Sequence, residues 1–135
     1  MKAPIDAVRL SASEKDLLSR IKRKTTIESW NVLCRWALAV GLSSNLKSLT
    51  KSQEKRDAVE IRWDTFAGRW SELISASIRI AHRQYSDLDQ TIPLADFFQM
   101  VMAKGIRILA KQASTNGIAS FNILVRSEKI DRSVA

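Results

Sequence analysis

Residues 9–41 read RLSASEKDLLSRIKRKTTIESWNVLCRWALAVG, and this stretch decides the fold. Ser11 followed by Glu14 is a capping box, in which a hydroxyl and a carboxylate satisfy each other's orphan backbone N–H groups at a helix start. It predicts a helix from Ala12 to about Lys24. Leu17, Leu18 and Ile21 make its apolar stripe, while Lys15, Arg20, Lys22, Arg23 and Lys24 take the remaining circumference. The basic run falls at the C-terminal end, where the helix dipole favours cations. Thr25 with Glu28 reads as a second capping box. It opens a helix whose inner stripe is Ile27, Trp30, Leu33, Cys34, Ala37 and Leu38, with Gly41 as its C-terminal stop.

Working outward, Asp6 to Leu10 alternates just enough to predict a strand or extended arm. Residues 42–57 (LSSNLKSLTKSQEKRD) hold no sustained apolar period and read as an exposed, mobile loop. Val59 to Trp63 alternates as a short strand. Asp64, Phe66 and Gly68 then turn the chain into a third helix from about Trp70 to Tyr85, with Trp70, Leu73, Ile74, Ser77, Ile78 and Ala81 on its inner face. Pro93 suits the first turn of a fourth helix, with Thr91 as its cap. Its stripe of Leu94, Phe97, Phe98, Val101, Met102, Gly105, Ile106 and Leu109 is the cleanest in the chain. Glycine on a buried stripe costs about 1 kcal/mol relative to alanine, so Gly105 is expected where another helix comes close. The sequence turns polar from Ala113, with an edge strand conceivable at Phe121 to Val125. The expected fold is mainly α: a four-helix single domain over residues 1–112 with a short N-terminal extended segment and minor β content, followed by a polar tail at 113–135.

With 45% apolar residues in a chain of 135, a real core can form. No apolar run is long enough to span a bilayer, and MKAPIDAVRL lacks the apolar stretch of a signal peptide. The single cysteine excludes an intrachain disulfide and fits a reducing cytoplasm. One cysteine and one histidine argue against a structural zinc site, and neither metal nor other cofactor is expected.

The charge is unevenly placed. Residues 1–56 carry twelve Lys and Arg against five Asp and Glu (+7), and residues 57–135 carry ten against nine (+1). Such asymmetry is what a polyanion-binding face requires. The candidate DNA contacts are Arg9, Lys15, Arg20, Lys22, Arg23, Lys24, Arg35, Lys47 and Lys51. Lys22, Arg23 and Lys24 are consecutive and spread around one helical turn, which suits phosphate contact better than base reading. For Arg35 an ion pair on the helix surface and a DNA contact are both open. The four tryptophans, Trp30, Trp36, Trp63 and Trp70, recur on apolar stripes, which suits core and subunit interface rather than base stacking.

Chemistry-bearing residues are sparse. Cys34 falls on an apolar stripe and reads as buried rather than reactive. His82 stands beside Arg83 and near Arg79, as a surface or rim residue would. The four glycines are scattered and form no phosphate loop. Asp64, Asp87, Asp89 and Asp96 are a loose scatter rather than the clustered carboxylates that metal-assisted phosphodiester cleavage needs. No catalytic residue is assigned and no enzymatic activity is expected.

WNVLCRWA at Trp30–Ala37, WDTFAG at Trp63–Gly68 and the preceding RLSASEKDLLSRIKRKTTIES together resemble the DndE family of the DNA phosphorothioation machinery, over roughly residues 5–110. That machinery replaces a non-bridging backbone oxygen of DNA with sulfur. The resemblance implies a non-catalytic subunit that forms homotetramers and binds nicked double-stranded DNA beside sulfur-transfer and ATPase-type subunits. Thr26 stands in the first inter-helix turn where the family often has glycine. One alternative is a nicking endonuclease of the same system. The other is a ribbon-helix-helix repressor, because a strand and two helices also open that module, in which strands of two chains pair. Apolar residues beyond the main stripes, namely Val32, Trp36, Met100 and Ile108, are the expected oligomer interface.

Overall fold

Local signals set the first helix. The structure, a computed structural model, describes residues 2–86 and 92–113. Helix α1 runs Ala12–Lys24, and both halves of the expected capping box form. Glu14 N–H donates to Ser11 Oγ at 3.2 Å, and Ser11 N–H donates to Glu14 Oε1 at 2.8 Å. Strand β1, Ala7–Leu10, precedes it and pairs antiparallel with β2, Val59–Arg62, with Val8 opposite Ile61 and Arg9 opposite Glu60. Helix α2 spans Trp30–Ser43. After β2 come a short helix α3, Trp63–Ala67, a 3-10 turn at Gly68–Trp70 and helix α4, Ser71–Ser86. The last described helix, α5, covers residues 94–113. Four long helices and a two-stranded sheet thus match the expected class.

Helix α5 is the spine of the core. Its stripe of Phe97, Phe98, Val101, Met102, Gly105, Ile106 and Leu109 is buried, as the spacing predicts. Phe98 meets Trp63 and Phe66 with all three centroid separations between 5.7 and 5.9 Å, in the tilted and edge-on geometries aromatic rings prefer. Phe97 packs on Tyr85 and His82 of α4 at 5.3 and 5.1 Å. A methyl group on Gly105 would overlap the Ala37 carbonyl of α2, and one on Gly41 would overlap the Val101 carbonyl of α5. The two glycines therefore let these helices cross backbone to backbone. Gly41 lies inside α2 rather than stopping it, since the helix continues to Ser43.

Strand β1 is satisfied on both edges. Val8 and Leu10 face β2, which turns the backbone of Ala7 and Arg9 outward. With its amide oriented to match both groups, Gln99 of α5 donates to Arg9 O at 2.9 Å and accepts from Arg9 N–H at 3.0 Å. Ala7 N–H donates to Asp6 Oδ1 at 2.9 Å. An edge closed in this way cannot recruit another strand. The ribbon of a two-chain repressor would use this edge, which β2 and Gln99 occupy here.

Other expectations give way for identifiable reasons. The second capping box does not form: Thr25 ends α1, with its Oγ1 accepting from Ile27 N–H at 3.3 Å. Ser29 caps α2 instead, accepting from Val32 N–H at 3.5 Å. On α4 the inner face is Ser75, Ile78, Ala81 and Tyr85, whereas Trp70 and Leu73 point outward at 36% and 61% exposure. Trp70 precedes α4, in the 3-10 turn, and Leu73 lies about 140° around α4 from Ile78, so a stripe drawn to include both is too wide. Pro93 is the cap of α5 rather than its first residue, because its carbonyl accepts the first helical bond, from Phe97 N–H at 3.0 Å.

The 42–57 segment is exposed for much of its length but anchored. It contains a 3-10 turn at Leu46–Ser48 and a buried Leu49. Ser13 donates from its backbone N–H and its hydroxyl to the Glu54 carboxylate at 3.2 and 2.6 Å, at the start of α1 where unpaired N–H groups welcome an anion. These bonds hold the Glu54 carboxyl below its usual range. Arg56 Nε lies 3.4 Å from Glu14 Oε1, tying the end of the segment to the same turn. Thr91, Asp87, Asp89 and the conceivable strand at Phe121–Val125 lie outside the described residues.

Candidate nucleic-acid interface

A helix with three apolar positions in thirteen must display its cations, and α1 does so. Lys15, Arg20, Arg23 and Lys24 are exposed and Lys22 is half-buried. The last turn splits its three consecutive cations by direction. Lys22 Nζ stands 5.7 Å from the centre of the Trp30 ring, a cation–π contact that spans the α1–α2 turn. Lys24 instead joins Arg20 on the wall of a groove between α1 and α5.

That groove supplies the residues that sequence reasoning missed. It encloses about 450 Å³ and is lined by Leu17, Arg20, Ile21 and Lys24 of α1 and by Arg107, Ala110, Lys111 and Ala113 of α5. Arg107 and Lys111 are exposed. Lys104, one turn earlier on the same face of α5, donates from Nζ to the Asn45 carbonyl. A signal existed: residues 104, 107 and 111 have the spacing of one helical face, and Asp96 is the only acidic residue of α5. Summing charge over the whole of residues 57–135 hid it, since acidic residues elsewhere cancel these three.

The remaining candidates are dispersed. Arg9 is held by carboxylates, 3.0 Å from Asp6 Oδ2 and 3.6 Å from Glu60 Oε1. The hydrogen bond from Arg9 holds the Asp6 carboxyl below its usual range. Arg9 thus has two carboxylate neighbours. Arg35 is half-buried and donates from Nη1 to the Phe66 carbonyl at 2.8 Å, closing the end of α3. This carbonyl bond, rather than an ion pair, is its contact among the described residues. Lys47 and Lys51 are exposed on the α2–β2 connection, away from α1 in sequence.

A family model described as DNA sulphur modification protein DndE matches residues 7–117. The chain belongs to the DndE family. Membership places it in DNA sulfur modification, as the resemblance in WNVLCRWA and WDTFAG implies. No curated protein matches the chain. In this DndE-family chain Cys34 is fully buried on α2, and burial pushes its thiol up to about 12. At neutral pH it is the unreactive thiol. Asp64 is exposed in the first turn of α3 and Asp96 lies in the first turn of α5, each where a carboxylate favours a helix start. Among the described residues no three His, Cys, Asp or Glu side chains gather as a metal site would require. His82 is half-buried at the rim, its Nε2 2.5 Å from the Ile92 carbonyl. Among the described residues no helix is long and apolar enough to cross a membrane.

Of the expected oligomer residues, Met100 is 5% exposed and belongs to the protomer's own core, while Val32, Trp36 and Ile108 are half-buried. The outward apolar surface of α4 was missed. Leu73 and Ile80, seven residues apart, share one face there at 61% exposure each, and Trp70 is exposed in the preceding 3-10 turn with the Arg69 guanidinium 4.7 Å from its ring.

Proposed function

We propose that this protein is a non-catalytic DNA-binding subunit of the phosphorothioation machinery, holding nicked double-stranded DNA for the sulfur-transfer and ATPase-type subunits. The observation that carries the reading is the row of exposed cations on α1, faced across a groove by those of α5. Neither Arg20 nor Arg107 forms an ion pair among the described residues, so their charge is open to a polyanion. Phosphate contacts of this kind position a protein on DNA without reading sequence.

Titration of intact, nicked and single-stranded DNA at two salt concentrations tests the reading. Replacing Lys22, Arg23 and Lys24 together with alanine should weaken binding to every sequence alike. Each lost phosphate contact should remove about 0.9 from the logarithmic salt slope. An unchanged slope would move the site elsewhere, and strand cleavage by the purified protein would favour the nicking reading.

The same proposal includes a homo-oligomer, a tetramer by the family resemblance. Large apolar side chains exposed along one helix mark a partner surface, and closed symmetric assemblies of identical chains are the commonest outcome. Several basic faces around one duplex would then raise avidity without new contacts. Leu73→Asp combined with Ile80→Asp should dissociate the assembly and weaken DNA binding indirectly. Light scattering that finds the unaltered protein monomeric at micromolar concentration would sink this part.

A further inference from the structure

The end of the α2–β2 connection is tied down at one place. Residues 50–55 and 57 are exposed and Arg56 is half-buried. Among the described residues, every hydrogen bond or ion pair that joins 50–57 to the rest of the domain ends on residues 11–14, the cap and first turn of α1. Glu54 takes both the N–H and the hydroxyl of Ser13, and Arg56 Nε faces Glu14 Oε1. These two attachments are linked through the capping box. Glu14 Oε1 also accepts from Ser11 N–H, while Ser11 Oγ accepts from Glu14 N–H and lies 3.3 Å from Ser13 Oγ. Glu54, Ser13, Ser11, Glu14 and Arg56 thus form one continuous polar chain, with the helix cap as its middle.

We infer that residues 50–57 and the first turn of α1 open and close as one unit, a strap whose catch is the helix cap itself. A helix start leaves its first N–H groups without intrahelical partners, and the strap supplies an anion for one of them. Opening therefore strips Ser13 of its acceptor and buried Glu14 of its cation in the same event. Leu49, buried in the core, fixes one end of the strap, and the Ala58 N–H bond to Leu10 O fixes the other. Exposed backbone between two fixed ends, with few buried apolar contacts, is the kind of segment that opens below the free energy of global unfolding. Whatever draws 50–57 off the domain also loosens the start of the cationic helix α1, and whatever stiffens that start tightens the strap to the same degree. The inference does not depend on the DNA-binding reading.

Trypsin cleavage after Lys51 and hydrogen exchange at the Ser11 and Ser13 amides test it in the full chain. Glu54→Ala removes an exposed side chain, so the fold is kept, and thermal melting checks this. Arg56→Ala is the second variant. Each should raise the cleavage rate about fivefold, the population change that goes with losing one helix-cap contact, with little change in melting temperature. The crossed readouts decide. Glu54→Ala should speed exchange at Ser11 N–H, which is bonded to Glu14, and Arg56→Ala should speed exchange at Ser13 N–H, which is bonded to Glu54. If Glu54→Ala speeds exchange at Ser13 alone, strap and helix start are independent and the inference falls, even where Arg56→Ala does not fold. Cleavage that rises only in step with a lowered melting temperature would mean that the strap opens only with the whole domain, which also overturns it. So would an unaltered protein cut after Lys51 as fast as a free peptide of residues 46–57.

Discussion

Gly105→Ala is expected to destabilise the protein by about 3 kcal/mol, the upper part of the usual range for forcing atoms into a packed core. Alanine is the better helix former by about 1 kcal/mol, so its intrinsic effect has the opposite sign. Sterics decide the outcome, because the added methyl group would overlap the Ala37 carbonyl, which is backbone and cannot rotate away. The α2–α5 crossing must open, and the buried side chains on both helices lose contacts together. For a domain of this size the melting temperature should fall by about 10–20 °C. Gly41→Ala strains the same crossing from the other side, through the Val101 carbonyl. The double variant should therefore cost less than the sum, since one separation relieves both clashes. A Gly105→Ala protein that melts with the original would show that the helices do not cross this closely.

Phe98→Ala should cost about 3–5 kcal/mol, the range for truncating a buried aromatic side chain. Its ring closes the cluster with Trp63 and Phe66, all three of them buried. Helix α3 has only five residues, too few to be stable alone, and is held by this packing and by the Arg35 bond to Phe66 O. Loss of the ring should loosen α3 as well as lower global stability. Trp63, whose Nε1 donates to Ser71 Oγ at 2.9 Å, would report this as a red shift in fluorescence. Phe98→Leu should cost markedly less because it leaves a smaller cavity. A Phe98→Ala variant within 1 kcal/mol of the original would place the core elsewhere.

What the sequence disclosed was what neighbouring residues determine. Ser11 and Glu14 start α1 through bonds across three residues, and the α5 stripe repeats over four turns, so both were readable. Thr25 and Glu28 carried the same local signature but lost to Ser29. Two helices must fold back on each other, and the extra residues 25–29 form that turn. Trp70 failed because it falls in a 3-10 turn before α4, and Leu73 because the expected stripe was drawn too wide for one helical face. The candidate site was half legible. Cations contiguous in α1 stood out, whereas Arg107 and Lys111 face those of α1 across a groove only because tertiary packing lays α5 beside α1. Arg9 and Arg35 looked like the others until their partners Asp6, Glu60 and the Phe66 carbonyl were placed.

The closure of β1 has a consequence for how the protein is made. The outward backbone of Arg9 waits for Gln99, a residue synthesised ninety positions later. At about 5–20 residues per second a ribosome needs roughly 5–18 s to add those ninety. For that interval the strand nearest the N-terminus can pair with β2 at best and keeps an open edge towards other nascent chains. The finished chain hides the hazard, so the time of greatest risk is translation. Slower elongation, or a chain truncated before Gln99, should therefore favour aggregation through the very strand that the completed fold seals.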